Sequence, residues 1–459
     1  MKNPILVPEL RDLLHKKKVG ILKSFLEDGH PKETAEYIAL LDPDEIWRII
    51  NLVDKDLRIE IFSYLDMDVQ VEMVSGTRKK NITELLMGMN HDDRADLFLN
   101  LEKDMVDRLL VLLPLSERAD VIKLTSYKEH TAGAIMTTDY ATLYENDVVE
   151  KAIAKIRREA PSKETIYYIY VVNDEGKLIG FVSLRKLIIS RPKKKIGDIM
   201  KRDVKFAYTS NDREVVARII EEYDLLALPI VDEDEKLAGI VTYDDAMDIL
   251  KEEQTEDLEK LMAISGGVEN KAYLDISFIT HFRKRAFWVI VLGLVGILTA
   301  FIIEFFSSAI EALIVLTFYM PLLNAAGGNT GSQSATVVLR ALTLNELVFK
   351  DIFKVIKKEF FVSLFLSFCL GTIVFSRVIL LTDSSSIPEQ FTLMSIAFVI
   401  SLSLALQVLW ATIFGAVIPM IATKLKVDPA VVSSPLLATC VDMGGVVIYF
   451  SVARLVLGI

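Results

Sequence analysis

The sequence has little of what a disulfide framework or a thiolate metal site requires. Its 459 residues contain two cysteines, Cys369 and Cys440, and both lie in apolar segments. Isolated cysteines exclude a disulfide-stapled fold and a Cys-based zinc site. The five histidines all lie at or before His281, so the apolar half offers no histidine to a soft metal. No nucleophile–base pair or catalytic metal spacing is present, so we do not expect an enzyme.

The amino terminus, MKNPILVPELRDLLHKKK, lacks the apolar core of a signal peptide. Residues 1–280 carry 54 acidic against 40 basic residues, whereas residues 281–459 carry 9 acidic against 12 basic residues. An acidic half disfavours nucleic acid as a partner. It is compatible with collecting cations, although on charge alone ordinary solubility is the better explanation. We expect this large amino-terminal part to stay in the cytoplasm.

Residues 1–128 have the periodicity of short amphipathic helices. In DPDEIWRIINLV, Ile46, Ile49, Ile50 and Val53 recur at helical spacing. NHDDRADLFLNLEKDMVDRLLVLL repeats the pattern after an acidic start, which is typical of a helix N-terminus. These segments predict an all-α helical domain built as a stacked array.

The chain then repeats itself, with one unit at 129–190 and a second at 191–250. GAIMTTDYATLYENDVVEKAIAKI is echoed by GDIMKRDVKFAYTSNDREVVARII, and each unit has the pattern strand, helix, strand, turn, strand, helix. The matched pairs are Met136 with Met200, Asp147 with Asp212, and Gly180 with Gly239.

The repeat resembles a tandem pair of CBS (cystathionine-β-synthase-type) domains, which are α/β regulatory modules that often bind adenine nucleotides. The resemblance implies ATP as a candidate ligand of the second unit, through Thr242 and Asp245 in GIVTYDD. The first unit has Lys186 where the acidic residue would stand, so the second unit alone remains a candidate nucleotide site.

Residues 281–459 predict a membrane domain, preceded by a charged connecting helix at 251–280. A membrane span needs about 20 apolar residues. Basic residues flank only the ends that face inward when the amino terminus is cytoplasmic. The five predicted spans are Ala286–Phe306, Leu313–Leu342, Phe360–Leu381, Phe391–Ile421 and Ala430–Leu457.

One charged side chain, Asp442, lies near the middle of the predicted fifth span. A carboxylate at the bilayer centre costs about 2.5–3.5 kcal/mol on insertion scales. No Lys or Arg occupies the central part of any predicted span, so a proton or a bound cation remains to neutralise it. A protonated Asp442 that hydrogen-bonds another helix stays open as an alternative.

The predicted second span contains the polar stretch MPLLNAAGGNTGSQSATVVLRAL, residues 320–342. Gly327 and Gly331 form a G-x-x-x-G pattern typical of close helix packing. Packing alone does not require Asn329 or Gln333, nor the nearby proline and additional glycine. We predict a loosened helix that exposes carbonyl and amide oxygens, which are ligands suited to Mg2+.

This stretch, the later segment VDPAVVSSPLLATCVDMGGVVIYFSVARL and the tandem CBS pair resemble the MgtE magnesium transporter and channel family over nearly the whole chain. The resemblance implies a homodimer in the lipid bilayer of the cell membrane, with one Mg2+ pore on its two-fold axis. The implied pore residues are Asp442, Gly328, Asn329, Thr330 and Ala438. Ser434 stands where some relatives have asparagine, and its hydroxyl is a further candidate ligand.

The resemblance also implies closure by intracellular Mg2+ bound between the N domain, the CBS domains and a plug helix at 251–280. Clustered carboxylates repel one another at low Mg2+, and a divalent ion bridges them as Mg2+ rises. The implied regulatory residues are Asp92, Asp96, Asp212, Glu214, Asp224, Asp245, Asp248, Glu253, Glu256, Asp257 and Asp428.

Two other functions remain compatible with the sequence. A secondary active transporter would use Asp442 to couple divalent-cation movement to protons or sodium. A membrane-anchored nucleotide sensor would have no transport role, and Asp442 would then be dispensable for Mg2+ uptake.

Overall fold

The computed structural model describes residues 6–76, 79–267, 273–344, 346–382, 387–430 and 435–458. The chain divides into two compact units, residues 1–253 and 254–459. The first unit combines a helical array with two α/β repeats, and the second is helical in its described part.

The helical array consists of short helices whose apolar faces meet in one core. The helices are α1 (Val7–His15), α2 (Val19–Asp28), α3 (Pro31–Ile38), α4 (Pro43–Ile50), α5 (Lys55–Ser63), α6 (Met67–Gly76), α7 (Lys79–Leu86), α8 (His91–Leu99), α9 (Lys103–Leu110) and α10 (Leu115–Leu124). The predicted apolar positions Ile46, Ile49 and Ile50 are buried on α4, which confirms the helical periodicity there. Val53 is buried as well, but it lies in the turn after α4.

Local sequence explains where these helices begin. Before α4, Asp42 and Glu45 form a capping box and Pro43 occupies the first turn. Such caps satisfy backbone N–H groups that have no partner within the helix. Arg11 then ties α1 to this cap, because its guanidinium lies 3.1 Å from the Asp42 carboxylate and 2.9 Å from that of Glu45.

Each α/β repeat contains a three-stranded sheet, and the two sheets share one topology. The elements are β1 (Thr142–Tyr144), α11 (Val149–Glu159), β2 (Tyr168–Val172), β3 (Leu178–Ser183), α12 (Leu184–Ile189), β4 (Ala207–Tyr208), α13 (Arg213–Glu222), β5 (Ala227–Val231), β6 (Leu237–Thr242) and α14 (Tyr243–Leu261). In each sheet the first strand pairs in parallel with the second, and the second pairs antiparallel with the third. The predicted repeat is confirmed.

The repeated glycines and methionines pack crosswise between the two halves. A Cβ at Gly239 would lie 2.7 Å from the Met136 sulfur, and one at Gly180 would lie 3.0 Å from the Met200 sulfur. Each methionine therefore needs a glycine in the other sheet, which explains why both pairs recur.

One predicted pair is wrong by a single residue. Asp147 accepts a hydrogen bond from the Tyr144 N–H at 2.9 Å, and Asn211 accepts the equivalent bond from Tyr208 at 2.7 Å. Asn211 is therefore the structural counterpart of Asp147. Asp212 instead caps α13 by accepting from the Glu214 N–H.

The predicted connecting helix is not a separate element. Helix α14 runs without interruption from Tyr243 to Leu261, across the predicted boundary at residue 250. The final helix of the second repeat therefore extends into the second unit, which begins at Gln254.

The second unit continues as α15 (Phe278–Phe305), α16 (Ser307–Ala312), α17 (Met320–Thr343), α18 (Ile352–Leu381), α19 (Leu393–Lys424) and α20 (Pro435–Leu457). Four described helices are long and apolar enough to cross a membrane. They are Phe278–Phe305, Phe349–Leu381, Leu393–Lys424 and Leu437–Leu457. Helix α17, the predicted second span, is not among them, since polar residues run along it.

The prediction of a loosened helix at residues 320–342 is wrong. Helix α17 is α-helical over 24 residues, and Pro321 lies in its first turn, where a missing N–H costs no internal hydrogen bond. The polar residues of α17 therefore act through its faces and not through a break in its backbone.

Close backbone approach between α17 and α19 predicts a sensitive glycine. A Cβ at Gly415 would lie 2.2 Å from the Gly331 carbonyl oxygen, and backbone cannot yield as a side chain does. We expect Gly415→Ala to lower the free energy of unfolding by about 1–3 kcal/mol. Thermal unfolding in detergent measures the effect.

The matched control is Gly296→Ala in α15, where no atom of the described part of the chain lies within 4 Å of the added Cβ. An unfolding midpoint for Gly415→Ala equal to that of the wild type would contradict the predicted close crossing.

Candidate functional site

Helix α17 presents two different faces. Gly327, Thr330, Gly331 and Ser334 are buried within the second unit. Asn329 and Gln333, one helical turn apart, are exposed. None of the described residues has an atom within 4 Å of a Cβ added to Gly328. The predicted pore residues Gly328 and Asn329 are thus on the open side of α17, and Thr330 is not.

The buried face of α17 packs within the chain. A Cβ on Gly327 would lie 2.6 Å from the Gln407 amide nitrogen and 3.0 Å from Val441, and one on Gly331 would lie 3.1 Å from the Ala411 carbonyl oxygen. The G-x-x-x-G pattern therefore allows α19 and α20 to approach closely.

The hydroxyl of the predicted pore residue Thr330 is already bonded within its own helix. It donates to the carbonyl oxygens of Ala326 and Gly327 at 3.0 and 3.2 Å. Within one chain, the Thr330 hydroxyl is therefore hydrogen-bonded to the backbone of α17.

Helix α20 carries the other predicted pore residues. Ala438 is exposed and Asp442 is partly exposed, and the spacing of four residues places them on one helical face. The neighbouring residue Val441 is buried against α17. Ser434 lies outside the described residues.

Sequence reasoning missed two polar groups in this unit. Gln407 of α19 is fully buried, and among the described residues neither atom of its side-chain amide has a hydrogen-bond partner. Glu359 of α18 accepts a hydrogen bond from Ser334 at 2.9 Å. The sequence could have indicated Gln407, because a glutamine within an apolar helix is energetically costly without a hydrogen-bond partner.

The first unit contains an acidic cleft of about 1050 Å³. Ten of its lining residues are carboxylates and three are lysines, so the cleft repels anions and attracts cations. The carboxylates are Asp56, Glu60, Asp92, Asp93, Glu117, Asp139, Glu164, Asp244, Asp245 and Asp248. The structure thus brings predicted residues of the helical array together with those of the second repeat.

Burial and mutual repulsion disfavour the charged forms of these groups. Burial, followed by the charge of Asp245, holds the pKa of Asp92 well above its usual range. The same causes raise the pKa of Glu164 to about 7. Burial raises the pKa of Asp245 to about 6, against a hydrogen bond from Thr242 that lowers it.

Two carboxylate oxygens of the cleft are ready for a ligand. Asp92 Oδ1 and Glu164 Oε2 are buried, and neither has a hydrogen-bond partner among the described residues. An all-oxygen donor set with excess negative charge fits a hard divalent cation. Asp93, Glu164 and Asp244 were not predicted, since no motif marks them.

Several predicted regulatory residues do not line this cleft. Glu214 pairs with Arg218 on the same helix, and Glu253 lies 2.8 Å from the Arg213 guanidinium. Asp224 is exposed at a turn with a positive φ of 50°. Asp96 is exposed, one turn beyond Asp92 on α8. Asp248 does line the cleft and pairs with Lys251 at 2.7 Å.

In the second unit a lysine stands between two predicted metal ligands. The Lys260 ammonium lies 2.9 Å from the Glu256 carboxylate and 3.0 Å from that of Asp428. Partial burial works to lower the pKa of Lys260, but the two carboxylates and their hydrogen bonds raise it above its usual range. The end of α14 is therefore tied to the segment between α19 and α20 by an ion pair. Asp257 has a polar contact of its own.

The predicted nucleotide residues are in direct contact. The Thr242 hydroxyl donates a hydrogen bond to the Asp245 carboxylate. Because Asp245 also lines the acidic cleft, one side chain serves both candidate sites.

Comparison with known families gives a consistent match along the chain. A divalent cation transporter family, MgtE, matches residues 320–452. The MgtE intracellular N domain matches residues 29–130, and CBS domains match residues 132–191 and 196–252.

Individual relatives agree. The magnesium transporter MgtE of Thermus thermophilus is 40% identical over 369 residues, which cover 80% of this chain and 79% of the relative. That of Bacillus subtilis is 34% identical over 377 residues, covering 82% and 80%. A crystal structure of the soluble part of a magnesium transporter has a TM-score of 0.50 and 31% identity, covering 54% of this chain and 97% of that one.

The fold and these matches define a membrane transporter with a helical N domain and tandem CBS domains, not an enzyme. The chain belongs to the MgtE family of magnesium transporters. The predicted family is therefore confirmed, as is the predicted order of its N and CBS domains.

The raised pKa values predict how acid affects the first unit. The folded state binds protons more tightly than the unfolded chain where carboxyl pKa values are raised, so its stability falls as pH rises. The stability contributed by protonated Asp245 is lost as the pH rises through about 6. The contribution of protonated Glu164 is lost as the pH rises through about 7. Without divalent cations, we expect protease protection of the full chain to be weaker at about pH 8 than at about pH 5.

Asp92→Asn is the matched variant, because it removes one charge from the cleft while conserving its shape. It should flatten the pH dependence, and added Mg2+ should do the same in the wild type. Protection that is equal at both pH values in the metal-free wild type would contradict the expected repulsion.

Proposed function

We propose that the chain carries Mg2+ across the cytoplasmic membrane as a homodimeric channel that intracellular Mg2+ closes. The observation that carries the proposal is the open polar face of α17, a helix that packs against α20, which carries the partly exposed Asp442. We take Mg2+ as the transported ion because the relatives are named as magnesium transporters.

The membrane environment supports a second copy of the chain. Asn329 and Gln333 are exposed on a unit whose other long helices are strongly apolar. Amide side chains facing lipid are costly, so these residues need either a protein partner or water. A two-fold axis beside α17 and α20 meets both needs, because two copies would enclose a water-filled path.

The ion would remain largely hydrated in such a path. Mg2+ sheds its water reluctantly and usually keeps several water ligands. Asp442 of each copy would supply charge, while Asn329 and the backbone near Gly328 and Ala438 would bind the water shell. Thr330 would stabilise α17 on the side that faces away from the path. Ser434 would be a further ligand near the inner mouth of the path.

The proposed topology has five spans, with the amino terminus in the cytoplasm. Helix α17 would be the second span, its polar face turned toward the path. The inner ends of the spans carry basic residues, in agreement with the positive-inside rule.

Closure by Mg2+ follows from the charges of the acidic cleft. A divalent ion bound by Asp92 and Asp245 would replace repulsion with attraction and hold the helical array against the second CBS repeat. Asp96 and Asp248 would add to the field at the edge of the cleft. Asp212, Glu214, Asp224 and Glu253 would act at separate sites on the surface.

The end of α14 would form the plug. Glu256 and Asp428 are already bridged by Lys260, so this contact persists when Mg2+ is low. We infer that closure combines this permanent tether with ions bound elsewhere, including at Asp257.

ATP remains a candidate ligand at Thr242 and Asp245. Since Asp245 also faces the cleft, a bound nucleotide would alter the charge that Mg2+ encounters there. Nucleotide binding and Mg2+ binding would then be coupled, each changing the affinity of the other.

The principal test is Mg2+ flux into liposomes containing wild-type protein or Asp442→Asn, each at low and high internal Mg2+. We expect wild-type flux to fall at high internal Mg2+, and Asp442→Asn to reduce flux at least about tenfold under both conditions, because the path loses its charge. Gly328→Ala adds a Cβ that meets no neighbour among the described residues of one chain, so this variant reports on the proposed dimer axis.

Flux that is proportional to a proton or sodium gradient and vanishes without it would establish coupled transport instead. Unchanged flux in Asp442→Asn would reject Asp442 as part of the path. A nucleotide sensor without transport would give no flux in either protein.

A second prediction concerns the tether. Lys260→Gln leaves Glu256 and Asp428 facing each other without a cation, so we expect higher flux than wild type at low internal Mg2+ and equal flux at high internal Mg2+. The measurement is the same flux assay across internal Mg2+ concentrations.

Lys354→Gln is the control, since it removes an exposed pair, Lys354 with Asp351 at 2.8 Å, which contributes little. Flux of Lys260→Gln at low Mg2+ that matches or falls below wild type would rule out a tether that favours closure.

A further inference from the structure

One end of the acidic cleft differs from the rest because it contains a histidine. His91, the first residue of α8, has its Nε2 3.3 Å from Glu117 Oε2 and 3.4 Å from Asp139 Oδ2. Its Nδ1 lies 4.0 Å from Asp120 Oδ2. Glu117 and Asp120 belong to α10, whereas Asp139 precedes β1. Three carboxylates from two further segments thus surround the imidazole of His91.

The spacing of these groups fits a metal ion. One ligand atom from each of His91, Glu117 and Asp120 can be chosen so that all lie within 4.8 Å of one another. Two ligands bound at about 2.1 Å lie at most about 4.2 Å apart, so small side-chain rotations would complete the site.

Neighbouring groups already hold the ligands in place. The fully buried Arg94 donates to Glu117 Oε2 at 2.6 Å and to the Leu86 carbonyl oxygen at 2.9 Å. The Thr138 hydroxyl contacts His91 Nδ1. Such outer contacts orient metal ligands, and here they also fix which carboxylate oxygens face the imidazole.

The local charge favours an added cation. Glu117, Asp120 and Asp139 outnumber the two nearby cations, Arg94 and Lys163, and Lys163 is 4.0 Å from Asp139. The adjoining carboxylates of the cleft increase the negative potential. A bound divalent ion would offset much of this charge.

We propose that His91, Glu117 and Asp120, with Asp139 within reach, form a binding site for a divalent transition metal such as Mn2+, Co2+ or Zn2+. Imidazole nitrogen suits these ions, whereas Mg2+ prefers oxygen ligands alone. The bound metal links the helical array to the first CBS repeat, because Asp139 belongs to that repeat. The site therefore adds a second, chemically distinct clamp to the first unit.

The test uses full-length protein in detergent, stripped of divalent ions and titrated with Co2+ in excess Mg2+. The visible absorption of Co2+ reports nitrogen and oxygen coordination. We expect wild type to bind Co2+ in the presence of Mg2+, and His91→Ala to weaken binding by roughly tenfold or more. Asp120→Asn should weaken it as well while leaving the contact between Arg94 and Glu117 intact.

Asp248→Asn is the matched control, because Asp248 lines the same cleft but pairs with Lys251 on the surface. It should leave the Co2+ spectrum unchanged. Equal Co2+ affinity in wild type, His91→Ala and Asp120→Asn, or displacement of Co2+ by Mg2+ at similar concentrations, would overturn the proposal and leave His91 as an ion-pair partner only. Flux does not enter this test, so failure of the Mg2+ gating proposal would not affect it.

Discussion

Repulsion between carboxylates that share a partly dehydrated space is the constraint on which this protein depends. In the acidic cleft, burial raises the pKa values of Asp92, Glu164 and Asp245, and the charge of Asp245 raises those of Asp92 and Glu164 further. In the second unit, the repulsion between Glu256 and Asp428 is already compensated, because the Lys260 ammonium lies between their carboxylates. In the proposed gating, the Mg2+ concentration can affect the protein only where the chain itself leaves the repulsion between carboxylates uncompensated.

The membrane unit obeys a related constraint, since polar groups are costly in hydrocarbon. Helix α17 meets it by separating two tasks on two faces. Its glycines at 327 and 331 admit neighbouring helices closely, while Asn329 and Gln333 remain on the open side. A helix that packs on one side and stays polar on the other is suited to the wall of a path. Gln407, buried behind it, remains a polar group for which the described residues offer no partner.

Much of the fold could be predicted because it depends on local periodicity. Ile46, Ile49 and Ile50 show helical spacing and are buried, and the tandem repeat reflects two sheets of equal topology. The polar stretch in α17 was harder to interpret, because glycine, asparagine and proline weaken a helix by propensity. Packing against α19 and α20 overrides that propensity, and Pro321 falls in the first turn, where it is tolerated.

The sequence by itself determined the helical and α/β segments and the isolated charge of Asp442, since these follow from composition and spacing. It also indicated the class of protein, through the resemblance of its motifs to a known family. Only the tertiary structure decided which carboxylates meet. One group of side chains that meet is His91 with Glu117 and Asp139, and another is Asp92 with Glu164 and Asp245. The members of each group are far apart along the chain, and no spacing rule relates them. Their shared site arises from packing between the helical array and the CBS repeats, because electrostatic repulsion depends on distance in space.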